Sequence, residues 1–272
     1  MQPRFHFISG LPRAGSTLLA ALLRQNPRIS AGMSGPVAGM FNTLLAEMSE
    51  RNEYSVFIDN AARQRVLRGL FDNFYATHTE FPVVFDTSRL WCAKLAALRE
   101  LFPQMRVVAC VRHVGWVIDS IERLIRRNAF QPSSIFNYLP GGTVYSRAEG
   151  MAGGDGIVGF AYNALKEAFY GEDASTHLML LQYETLTREP ARALAAVYDF
   201  IGETSYPHDF DNVLYDADEF DARAGTPGLH KVRMKVGQIE RETLLPPDLF
   251  SRFERDAFWR VPELNPRGVR II

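Results

Sequence analysis

Two glycines enclose an arginine in Gly10-Leu11-Pro12-Arg13-Ala14-Gly15-Ser16-Thr17, and two hydroxyl residues follow. A loop of this kind that opens a helix turns backbone N–H groups, the positive helix end and short hydroxyls toward one point, which suits an oxyanion. Its glycine spacing is that of a nucleoside-triphosphate loop, yet Ser16 stands where that loop requires lysine. Without the lysine, and with no acidic Mg²⁺ partner evident after a second strand, a kinase or NTPase lacks two of its charge-neutralising parts. Arg13 offers instead a planar fork that can hold a phosphate or sulfate oxygen bidentately. A glycine pair alone is equally the sequence of a tight turn; Pro12-Arg13 before it and Ser16-Thr17 after it favour the anion.

The elements around the loop follow from apolar spacing. Phe5 to Ser9 is a short apolar strand, and Leu18, Leu19, Leu22 and Leu23 recur at helical intervals behind the loop. Val83-Val84-Phe85, Val107 to Val111 and Leu178 to Gln182 read as further buried strands, with helix-patterned segments beginning near Leu90 and Val114. Strands alternating with helices predict an α/β class: a P-loop-like, three-layer fold with a central parallel sheet flanked by helices. Ligands of such sheets sit at the carboxyl ends of the strands, where Arg13 to Thr17, Asp86 to Arg89, Arg112 and Tyr183-Glu184 all fall. Residues 1–272 read as a single domain, with mobile loops at the glycine-rich stretch 137–156 and at 203–236, where acidic residues mix with Gly and Pro.

A formal charge of −1 argues against a nucleic-acid or anionic-membrane surface, so any anion must be bound locally. Only Cys92 and Cys110 are present, both in apolar segments, which fits core positions in a reducing, cytoplasmic compartment. No apolar run reaches the roughly 18 residues of a membrane span. The six histidines form no metal-binding pattern, and no metal site is expected.

Pro12-Arg13-Ala14-Gly15-Ser16-Thr17-Leu18-Leu19 resembles the phosphosulfate loop of sulfotransferases that use 3′-phosphoadenosine-5′-phosphosulfate (PAPS), particularly the branch with tyrosylprotein and many bacterial enzymes. The resemblance implies that Arg13, Ala14, Gly15, Ser16, Thr17 and Leu18 hold the 5′-phosphosulfate. Arg112 at a strand end and Ser120 in the next helix match the family's pair for the 3′-phosphate. The Leu180 to Leu186 segment, with Glu189-Pro190 and a following helix, resembles the part of the family that brings a tyrosine near adenine, here Tyr183. Leu229-His230-Lys231-Val232-Arg233 resembles the basic segment that folds over the cofactor, through Lys231, Val232 and Arg233; a basic run of this length is also the sequence of a solvated face.

The reaction implied is in-line displacement on sulfur by an acceptor hydroxyl or amine, releasing adenosine 3′,5′-bisphosphate (PAP) without a metal. Arg13 would neutralise the leaving phosphate. The glutamate that tyrosylprotein sulfotransferases use as base is expected at Ser34, whose hydroxyl is a poor proton acceptor. Asp86 and His113 are therefore the candidate bases, with His78 a further one. Arg89 would neutralise an acidic acceptor or the sulfuryl group, since the lysine found nearby in relatives has no counterpart at Thr87. Asp86 could equally cap the helix near Leu90. Trp91, Trp116, Phe130, Phe136, Tyr138 and Tyr145 suggest a gate for an aromatic or hydrophobic hydroxyl, on a small molecule or a peptide. The competing functions are a P-loop nucleotide kinase or NTPase, and a PAPS-binding protein that transfers nothing. Oligomeric state is not legible.

Overall fold

The computed structural model describes residues 3–49, 53–78, 80–130 and 142–272. Its strands are β1 Arg4–Gly10, β2 Ile29–Ala31, β3 Val83–Thr87, β4 Val107–Val111, β5 Leu178–Gln182 and β6 Arg270–Ile271. They form one six-stranded parallel sheet in the order β2-β3-β1-β4-β5-β6. The helices are α1 Ser16–Leu23, α2 Val37–Glu47, α3 Asn60–Phe74, α4 Leu95–Leu101, α5 Val114–Arg127, α6 Val144–Ala152 and α7 Ile157–Tyr170. After them come α8 Ala174–His177, α9 Tyr183–Arg188, α10 Pro190–Ile201, α11 Asp218–Arg223 and α12 Pro247–Ser251. The α/β class with a central parallel sheet flanked by helices is the one the sequence predicts.

The near-continuous apolar runs of β1, β3, β4 and β5 are buried almost throughout, as strands covered on both faces must be. β1 lies between β3 and β4, with Ile8 beside Thr87 on one side and Val108 on the other. The chain leaves β1 for β2 and β3 on one side, then crosses back to β4 on the other. This reversal opens a crevice at the carboxyl end of β1.

Trp91 corrects the predicted gate. It is fully buried, with its ring 5.2 Å from Phe7 and 5.6 Å from Phe41, and its indole N–H donates to Asp86 Oδ1 at 2.7 Å. The segment after β3 is a 3₁₀ turn, Arg89–Lys94, before α4 begins, and this tighter winding turns Trp91 inward. Phe136 and Tyr138 of the same predicted gate lie outside the described residues, whereas Phe130 is exposed and the Tyr145 hydroxyl donates to Asp248 at 3.0 Å.

Residues 137–141 of the glycine-rich stretch also lie outside the described residues. From Thr143 the chain is helical, because that hydroxyl accepts from Ser146 N–H at 3.3 Å and caps α6. The 203–236 segment holds α11 and is otherwise irregular. It closes on itself through Val213 N–H to the Met234 carbonyl at 2.7 Å and Val236 N–H to the Phe210 carbonyl at 2.8 Å. Among the described residues no helix is long and apolar enough to cross a membrane.

Candidate active site

The loop after β1 has a backbone that side chains would obstruct. Gly10 holds φ 98°, and a Cβ there would lie 2.2 Å from the Cys110 carbonyl oxygen on β4. Gly15, at φ 97°, is the N-cap of α1 and offers it no side-chain cap. The first-turn N–H groups of Ser16, Thr17 and Leu18 therefore have no partner within the helix and face the cleft. Ala14 is buried beneath them. Arg13 is itself left-handed, φ 57°, a conformation that costs a non-glycine residue roughly 1–2 kcal/mol.

That backbone turns the Arg13 side chain across the crevice. Its Nε donates to Ser120 Oγ on α5 at 3.2 Å, and a terminal nitrogen donates to the Leu229 carbonyl. Arg112, at the end of β4, reaches the Arg13 carbonyl at 3.4 Å and lies over the Tyr183 ring, 4.1 Å from its centroid. Tyr183 opens α9 directly after β5 and packs beside Gly15. The structure thus brings Arg13, Ser120, Arg112 and Tyr183 together from four separate elements. Neither guanidinium has a carboxylate partner among the described residues. Burial and the charge of Arg112 push Arg13 down to about 10, and burial lowers Arg112 as well. The Arg112 Nε is buried with no hydrogen-bond partner among the described residues.

At the end of β3 the predicted residues separate. Thr87 and Arg89 line the cleft, and so does Ser34. Arg89 is half-buried without a hydrogen bond or ion pair to its side chain among the described residues, and burial lowers its pKa. Asp86 points the other way: Oδ1 takes the Trp91 N–H and Oδ2 accepts from the Tyr75 hydroxyl at 2.6 Å. Burial raises its pKa, and it does not line the cleft. His113 caps α5, its Nδ1 accepting from Gly115 N–H at 3.2 Å, and stacks on Phe250. It too lies outside the cleft lining, as does His78, whose Nδ1 sits 2.8 Å from Ser30 Oγ.

Lys231, Val232 and Arg233 line the opposite wall. Their segment hangs on two buried carboxylates that the sequence reading did not single out. Asp119 on α5 accepts from Arg123, from Arg241 at 2.7 Å and from Leu244 N–H at 2.7 Å, and so fixes the chain beyond the basic run. Asp221 on α11 accepts from His230 through both oxygens. Arg241 and His230 join the cleft wall by this route. For Asp221 and His230 the available signal was the Gly225-Thr226-Pro227-Gly228 turn between them, while nothing local marks Arg241 as a partner of Asp119.

The cleft has a volume of about 760 Å³, enough for a nucleotide-sized ligand. Residues 6–207 match the model of the sulfotransferase family. A sulfotransferase domain from the curacin biosynthetic pathway superposes with a TM-score of 0.51 at 20% identity, over 76% of either chain. The sulfotransferase domain of the Synechococcus PCC 7002 olefin synthase gives 0.49 at 19% identity, over 93% of this chain and 94% of its own. None of the curated proteins matches. At 20% identity the curacin-pathway domain speaks for the fold alone, and the family match extends over most of the sequence: the chain belongs to the sulfotransferase family.

Proposed function

We propose that this member of the sulfotransferase family transfers a sulfuryl group from PAPS to a hydroxyl or amine acceptor and releases PAP. The observation that carries the reading is the Arg13–Arg112 pair: two partly buried guanidiniums, adjacent at the ends of β1 and β4, neither of them ion-paired to a carboxylate among the described residues. Like charges held together out of water are unfavourable unless an anion joins them. The donor brings a phosphosulfate at one end and a phosphate at the other.

Arg13 and the N–H groups at the start of α1 would hold the phosphosulfate and stabilise charge as it builds on the leaving oxygen. Ser120 and the Arg112 Nε, which has no hydrogen-bond partner among the described residues, suit the 3′-phosphate. Tyr183, already under a guanidinium, offers its other side to the adenine. Lys231 and Arg233 add charge from the facing wall, and Val232 adds apolar contact. With charge neutralised by arginines and a helix end, the reaction needs no metal. Arg89 and Ser34 both line the cleft, and Arg89 would steady the moving sulfuryl group on its way to the acceptor. Trp116, Ile157 and Ile239 line the same cleft and favour a hydrophobic hydroxyl, on a small molecule or a peptide. Two buried free cysteines suit a reducing, cytoplasmic setting.

The test is PAP release from sulfur-labelled PAPS with a metal chelator present, compared with phosphate release from ATP plus Mg²⁺. Chelator-resistant PAP release supports sulfuryl transfer. ATP turnover alone would replace it with the kinase reading, and PAP binding without turnover by the binding-protein reading.

A further inference from the structure

We propose that His230, oriented by Asp221, is the base that takes the acceptor's proton; this deepens the PAPS reading above and rests on it. Asp86 and His113 lie outside the cleft lining, Ser34 lacks the basicity, and Glu184 in the lining is ion-paired to Arg260 at 3.2 Å; the wall facing Arg13 offers an exposed Glu240 and the half-buried His230.

Asp221 is 1% exposed, and both of its oxygens are committed to one residue. Oδ1 lies 2.6 Å from His230 Nδ1, and Oδ2 accepts from the His230 backbone N–H at 2.7 Å. A carboxylate only accepts, so Nδ1 carries the hydrogen and the Nε2 lone pair is left free. The chain between them is a closed turn: Thr226 N–H bonds the Asp221 carbonyl at 2.9 Å, Leu229 N–H bonds the Thr226 carbonyl at 3.0 Å, and Gly225 and Gly228 take φ 66° and 83°. The Phe220 ring packs edge-on at 5.6 Å and steadies the imidazole. His230 lines the cleft, and the preceding residue, Leu229, receives the Arg13 guanidinium through its carbonyl. One backbone segment therefore ties the imidazole to the group assigned to the phosphosulfate.

The proton balance is complete. The acceptor oxygen forms its bond to sulfur as Nε2 takes the hydroxyl proton. The bond from sulfur to the 5′-phosphate oxygen breaks, and its electron pair leaves on PAP beside Arg13. Asp221 stabilises the imidazolium until the proton passes to water. His230 is the catalytic residue and Asp221 its positioning residue.

The experiment follows sulfur-labelled PAPS with excess enzyme, using phenol and then water alone as acceptor, while calorimetry measures PAP binding on the same preparations. His230→Gln is expected to bind PAP within about threefold of wild type and to lose on the order of 10²–10⁴ in turnover. His230→Asn, whose amide can still donate to Asp221, keeps the turn folded and should fail equally. Asp221→Asn, assayed with PAPS in excess and with active sites counted by PAP calorimetry, is expected to lose about tenfold or more in kcat per site with KM for PAPS unchanged; counting sites removes any unfolded fraction from kcat. Turnover of either His230 variant within about threefold of wild type, with PAP still bound, overturns the base assignment alone. A wild type that binds PAP but releases no more labelled product than buffer also overturns it. A wild type that binds no PAP overturns the donor reading and this inference together.

Discussion

Replacing Gly10 by alanine would put a methyl group 2.2 Å from the Cys110 carbonyl oxygen and 2.7 Å from its nitrogen. Those atoms are main chain of β4, so relief requires the paired strands to part. Parting them breaks the bond from Leu11 N–H to the Cys110 carbonyl, now 2.9 Å, and leaving its groups buried and unpaired costs ~1–3 kcal/mol. The left-handed φ adds ~1–2 kcal/mol and overpacking another ~1–3 kcal/mol. The total of about 3–8 kcal/mol is a large part of the ~5–15 kcal/mol that stabilises a typical protein. Gly15→Ala has nearly the same φ but meets side-chain atoms instead, the Tyr183 ring at 3.1 Å and a Leu186 methyl at 3.3 Å, which can turn aside. Its stability loss should stay near 1–2 kcal/mol, about the backbone strain alone, while the displaced ring and the altered helix start weaken PAP binding about tenfold or more. Urea denaturation of the two variants beside wild type, with PAP calorimetry, reads both quantities. Gly10→Ala within about 1 kcal/mol of wild type would refute the reasoning, because the steric term alone should exceed that.

Three further perturbations reach other parts of the molecule. His6 is buried, with Nδ1 accepting from Arg106 N–H at 3.1 Å, and desolvation takes its pKa from 6.5 to about 3. The depressed value means that the unfolded chain takes the proton first, so stability is full above 6.5 and falls by about 1.4 kcal/mol per pH unit toward 3; His6→Asn should flatten that slope in urea titrations. Asp119→Asn should cost about 1–3 kcal/mol, because Arg123 and Arg241 remain partly solvated, and should expose the chain near Arg241 to limited trypsin digestion. Arg89→Gln removes a half-buried cation with no ion pair among the described residues, so stability from thermal denaturation should change by no more than about 1 kcal/mol, with no loss, while transfer falls and PAP affinity holds.

Legibility in the sequence tracked the distance over which a contact closes. The strand–loop–helix unit at Gly10 to Thr17 and the strand end at Arg112 could be read because their geometry is set by residues next to them. β2 and β6 could not: Ile29-Ser30-Ala31 and Arg270-Ile271 are too short to show a period and exist as strands only because β3 and β5 present free edges. Trp91 is not legible as core because the chain makes a 3₁₀ turn where the apolar spacing reads as helix, and because aromatic identity does not distinguish core from rim. Asp119 with Arg241, and Asp221 with His230, are buried ion pairs and hydrogen bonds made by tertiary closure. In a linear reading these carboxylates look like ordinary polar residues of amphipathic helices. The candidate base was sought at strand ends, by the rule for such sheets, and the wall carrying His230 comes from the irregular segment across the cleft.

On the proposed reading, the paired guanidiniums of Arg13 and Arg112 hold the two anionic ends of the donor. Calorimetric titration of PAP into metal-free protein, for wild type, Arg13→Ala and Arg112→Ala, tests it most directly. Wild type should bind, and each variant should lose about 1.5–3 kcal/mol, the size of a hydrogen bond to a charged group. Unchanged PAP affinity in both variants, or binding of ATP with Mg²⁺ in place of PAP, would contradict it.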